Sequence, residues 1–202
     1  MLSEQFMSIE DYLEKPKDFW LWLHLRTNEM PFASLDTRVR CAGGCFHLAL
    51  EHNDAIIVLT QNRLYGSAWV LARPLLEAYV RGAWLATCAS NDEIESYLAG
   101  KCPRFQKLID AIGTDQETGG AWLYQIHKRY WSVLNEYTHG GAAQVVHRNT
   151  ESAIESAYAV DELAELLSYA TEVSIRVAAE FFALAGQEKL LIELTEKAKR
   201  VR

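Results

Sequence analysis

Apolar residues in this chain recur at three- and four-residue steps, and no β-branched run alternates with period two. The clearest case is residues 161–186. There Leu163, Leu166, Leu167, Ala170, Val173, Val177, Phe181 and Leu184 fall on one stripe, the period of an amphipathic helix. Asp161 is its expected N-cap and Gly186 its stop. The same reading predicts a helix from Asp36 to about residue 62, a second over 65–89 and a short one from Ser90 or Asn91 to 98. Pro103 in a first turn starts another, which ends near Gly113. Gly119-Gly120 leads into a helix that reaches His139 and stops at Gly140-Gly141. Residues 142–158 read as a loop with one helical turn. The N-terminus reads as a helix over 9–15 and an aromatic segment over 19–25; a charged helix over 187–199 closes the chain. The expectation is an all-α protein, an up-and-down bundle of six to seven helices. It is one domain over 1–202, with a core at 35–186, an N-terminal segment at 1–34 and a C-terminal helix and tail at 187–202.

The helix over 65–89 is apolar on nearly every side. Gly66, Trp69, Val70, Leu76, Val80, Trp84 and Cys88 share one stripe, and Ala68, Leu71, Leu75, Ala78, Gly82 and Ala86 the opposite one. Such a helix belongs at the centre of a bundle. Yet Arg73, Glu77 and Arg81 lie on or beside the first stripe, and buried charges need partners. Their i, i+4 spacing lets Glu77 reach either arginine. Pro74 removes a helical hydrogen bond and disfavours α geometry at Arg73, so a kink or helix start is expected there, with freed carbonyls for Arg73. Arg73, Glu77 and Arg81 make either a buried ion-pair network or the lining of a site for a small polar or anionic ligand.

The helix that ends at His139 has a polar face of Gln125, Lys128, Ser132, Asn135 and His139. In its last turn the helix dipole favours a protonated imidazole, and Gly140-Gly141 lets a ligand or a second backbone approach. His139 therefore joins the ligand-binding candidates Arg73, Glu77 and Arg81.

Charge narrows the partners. Lys plus Arg is 20, Asp plus Glu is 27 and the net charge is −7, which disfavours a DNA coat. No uncharged apolar stretch reaches 18 residues, so no membrane span is expected. The N-terminus lacks a basic region and an apolar region of the signal type, which points to the cytoplasm. There Cys41, Cys45, Cys88 and Cys102 are reduced thiols. Cys41 and Cys45 lack zinc-knuckle spacing, and His47 with Glu51 lacks a second Glu-x-x-His half, so no metal and no cofactor are expected. No phosphate loop, dinucleotide fingerprint or nucleophile elbow is present. The mid-helix pair Gly43-Gly44 suggests close approach of another helix.

Arg73 to Glu77 reads Arg-Pro-Leu-Leu-Glu, and Asn135 to Gly140 reads Asn-Glu-x-x-His-Gly. The chain resembles, over residues 35 to 185, uncharacterised bacterial helical-bundle families that carry both motifs; the run GSAWVLARPLLEAYVRGAWL is the most specific part. It also resembles, more loosely, the HEPN superfamily of helical bundles. That likeness implies a dimeric, metal-independent ribonuclease with a motif of arginine, a polar residue and a later histidine. Asn135 and His139 match the polar and histidine positions, whereas Leu134 stands where the arginine belongs. Two expectations follow: a binding or defence-associated module, or a ribonuclease in which His139, Asn135 and Arg73 are catalytic and Arg73 replaces the missing arginine in space. An arginine within hydrogen-bond reach, or one phosphate's width, of His139 in an open cleft favours the second; Arg73 fully buried against Glu77, with His139 on an unrelated surface, favours the first.

Overall fold

The computed structural model describes residues 8–28, 30–32, 36–113 and 120–201. Among these, nine helices form: α1 (Ile9–Thr27), α2 (Thr37–Gln61), α3 (Tyr65–Thr87), α4 (Asn91–Leu98), α5 (Phe105–Ile112), α6 (Gly120–Thr138), α7 (Ala142–Val146), α8 (Val160–Leu184) and α9 (Glu188–Val201). The count exceeds the six to seven expected because the short elements, α4 of 8 residues, read from its cap, and α7 of 5, the single turn expected in 142–158, stand as helices of their own. Outside the helices, among the described residues, an isolated antiparallel bridge joins Asn149 and Ile154.

Local chemistry places most helix ends where the sequence puts them. Asp36 caps α2 by accepting from the Val39 amide, and Ser90 caps α4 in a reciprocal box with Glu93. Ser8 does the same for α1 with Asp11. Gly140, at φ 64°, takes the left-handed position after α6, and the Gly141 amide reaches back to the Glu136 carbonyl at 2.9 Å.

Four details differ from expectation. α1 runs unbroken through Pro16, because the proline costs one hydrogen bond while Pro16, Phe19, Trp22 and Leu23 are buried together. α3 likewise runs through Pro74. α5 starts at Phe105, with Arg104 rather than Pro103 before it. Asp161 lies in the first turn of α8; the cap is Ala159, whose amide donates to the Glu162 carboxylate at 2.9 Å. Gly119 and residues 1–7 lie outside the described residues.

One cluster of buried apolar residues runs from Phe19 in α1 to Leu194 in α9. α3 sits at its centre, packed against α2, α5, α6 and α8. At Gly82 α3 packs tightly on α2, and an added Cβ would stand 2.5 Å from the buried Phe46 ring. Gly43 and Gly44 do not serve a helix crossing. Gly43 faces the Phe32 ring and Gly44 faces open space. Among the described residues no helix is long and apolar enough to cross a membrane.

Candidate functional site

α3 and α6 pack side by side: Trp69 stacks on Tyr137 at 4.6 Å, and Tyr79 meets Trp122 edge-on at 5.8 Å. Early α3 thus lies beside late α6, so the helices run antiparallel. That direction sets Arg73 against Trp131, Asn135 and His139, which share one face of α6 at i, i+4 and i+8.

Arg73 distributes its donors over four groups. Nε donates to Glu77 Oε1 at 2.7 Å. Nη1 donates to Asn135 Oδ1 at 2.9 Å and meets His139 Nε2 at 2.7 Å. The guanidinium plane lies 4.9 Å over the Trp131 ring, a cation–π contact. Phe105 of α5 stacks on the same indole at 4.4 Å and 4°. Nη2 has no partner among the described residues. An arginine only donates, so His139 Nε2 accepts and the ring proton is on Nδ1. Arg73 brings a fixed positive charge to the end of α6.

Glu77 is the hinge of the charge network, taking Arg73 on one oxygen and Arg81 Nη2 on the other at 2.8 Å. The Arg73 and Glu77 side chains are 20% and 17% exposed, and Arg81 32%, so the network is partly buried. Burial works against the charge of Arg81, and Glu77 outweighs it, raising the guanidinium pKa. Two arginines against one carboxylate leave the cluster net positive in a chain of net charge −7. His139 itself is exposed.

The structure thus brings Arg73, Glu77, Asn135 and His139 together and attaches Arg81 through Glu77. Pro74 does not hand Arg73 a freed carbonyl; its partners are side chains. Leu134, at the arginine position of the resembled motif, is fully buried in the core. Trp131 and Phe105 were not singled out from sequence. The Trp131–Asn135–His139 spacing was the signal available for the first; nothing local marks the second.

The other candidates lie elsewhere. His47 and Glu51 border a pocket with His24 and Asp54, whose side chains meet at 2.7 Å. Among the described residues no group of three or more His, Cys, Asp or Glu is gathered to hold a metal ion. The four cysteines are unlinked.

A family model described as a family of unknown function, DUF6988, matches residues 46–201, from within α2 to the last residue of α9. No curated protein and no solved structure matches the chain.

Proposed function

The chain belongs to the DUF6988 family, of unknown function, and from that premise we propose that it is an acid–base ribonuclease with a composite site: Arg73 from α3, Asn135 and His139 from α6. The observation that carries the reading is the 2.7 Å contact between Arg73 Nη1 and His139 Nε2. It unites a fixed cation with an imidazole whose lone pair faces it.

A phosphodiester entering beside His139 takes over the Nη1 donor and also meets the free Nη2, which frees the Nε2 lone pair. The ribose 2′-hydroxyl gives its proton to His139 Nε2 as its oxygen attacks phosphorus. The bond from phosphorus to the 5′-oxygen breaks, that oxygen takes a proton from solvent water, a 2′,3′-cyclic phosphate forms, and His139 Nε2 then returns its proton to solvent. His139 supplies acid–base catalysis, worth ~10²–10⁴-fold. Arg73 stabilises the charge on the phosphoryl oxygens. Asn135 orients Arg73, and Glu77 holds its Nε side. No step calls for a metal. The reading carries with it the cytoplasm as location and the homodimer form of the resembled superfamily.

A second reading, a binding or defence-associated module for a small anion, is favoured by one observation. Arg73 is already engaged through Nε, Nη1 and its ring face, as a structural arginine would be.

The test is purified protein with single-stranded RNA in the presence of a chelator. Cleavage to 2′,3′-cyclic ends, lowered ~10²–10⁴-fold by His139→Ala, is the expected result. RNA left intact at equimolar protein overturns the ribonuclease, and retention of the RNA without cleavage then selects the binding module.

A further inference from the structure

Between α6 and α8 the chain forms a small flap that carries an arginine with no ion pair among the described residues. Its base is fixed by His147, whose Nδ1 lies 2.6 Å from the Ala143 carbonyl and Nε2 2.8 Å from Glu162. Tyr158 stacks on His147 at 4.4 Å. The next residue, Arg148, is exposed and lays its guanidinium over Gly66 of α3. A Cβ at Gly66 would stand 2.7 Å from Arg148 Nη2 and 3.2 Å from the Tyr158 hydroxyl.

Among the described residues the Arg148 side chain has no hydrogen bond or ion pair. The nearby carboxylates are engaged: Glu162 with His147, and Glu155 with the Thr150 hydroxyl at 3.1 Å. The Tyr158 hydroxyl is buried and also lacks a partner. Two donors without a partner among the described residues therefore converge over Gly66, which has no side chain.

Gly66 and Arg73 are seven residues apart on one helix, which puts them on the same face about 10 Å apart along the axis. Trp69 lies between them, covered by Tyr137. Two guanidiniums with free donors, from α3 and from the flap, thus border one face at a separation that a short run of a single strand spans.

We propose that Arg148 binds a backbone phosphate flanking the one held by Arg73, so that the substrate is single-stranded RNA several nucleotides long. The inference rests on the ribonuclease reading for the place of the first phosphate. Arg148 makes contact with substrate but takes no part in the proton transfers.

The test is binding of a fluorescent 2′-O-methyl RNA oligonucleotide, which has no hydroxyl to attack, measured by anisotropy over a salt series. Arg148→Ala is expected to weaken binding about tenfold and to lower the slope of log K against log salt by about 0.7, one phosphate's share for a single strand. Gly66→Ala keeps every charge but displaces the guanidinium, and is expected to weaken binding while the protein stays folded. Wild-type affinity and slope in Arg148→Ala overturn the proposal, as does a wild-type protein that does not bind the oligonucleotide. Arg148-dependent binding without RNA cleavage keeps this proposal and removes the ribonuclease; cleavage that needs His139, with binding indifferent to Arg148, does the reverse.

Discussion

Two histidines eight residues apart meet opposite kinds of neighbour. His139 Nε2 faces the Arg73 donor and is the acceptor. His147 faces acceptors on both nitrogens, a carbonyl and a carboxylate, which favour its protonated form. Burial opposes that charge, but the Ala143 carbonyl and Glu162 outweigh it and raise the pKa above its ordinary value. A raised folded-state value sets the sign: the stabilisation is complete below ~6.5, the unfolded value, and disappears as pH climbs through the folded one. The stability difference between wild type and His147→Gln, from urea denaturation at a series of pH values, is expected to shrink as pH rises. A difference that does not vary with pH would refute this. Arg73, Glu77 and Arg81 were legible as a set because i, i+4 spacing is local. The meeting of Arg73 with His139, 66 residues away, was not.

At the scale of elements, α2 and α3 show why a glycine's role cannot be read from its position in a helix alone. Gly44 and Gly82 both sit inside long helices, where glycine costs ~1 kcal/mol relative to alanine. At Gly44 a Cβ meets nothing within 4 Å, so Gly44→Ala is expected to stabilise the protein by up to ~1 kcal/mol. At Gly82 the Cβ would press into the Phe46 ring, which is fully buried and has nowhere to move. Overpacking of ~1–3 kcal/mol then exceeds the helical gain, and Gly82→Ala is expected to destabilise. Opposite shifts of the denaturation midpoint are the result sought; a shared sign would mean that the close approach at Gly82 is not what requires glycine. Caps such as Asp36 and Ser90 were legible because they act over three residues. The continuity of α1 through Pro16 was not, because the buried face that holds it together includes partners on other helices.

Across the whole molecule, α1 lies outside the family match at 46–201 but inside the core. Trp22 meets Phe182 of α8 edge-on at 6.2 Å, and Lys197 of α9 lies 5.9 Å over its indole. Trp22→Ala is expected to cost ~3–5 kcal/mol in chemical denaturation, while activity per folded molecule is unchanged, because no residue of α1 touches the Arg73 network. A loss below ~1 kcal/mol would show that α1 contributes little to the fold. The net charge of −7 is likewise a whole-chain property that conceals a local one, the positive cluster of Arg73, Glu77 and Arg81.

The sequence by itself determined the all-α class, most helix ends and the short-range charge pairs. Periodicity, caps and i, i+4 contacts act within one or two turns and leave their marks in adjacent residues. Only the tertiary structure decided that α3 and α6 run antiparallel in the register that sets Arg73 on His139, and that the flap brings Arg148 onto Gly66. Those pairings depend on how buried faces interlock across long stretches of chain, and that packing leaves no periodic trace in the sequence.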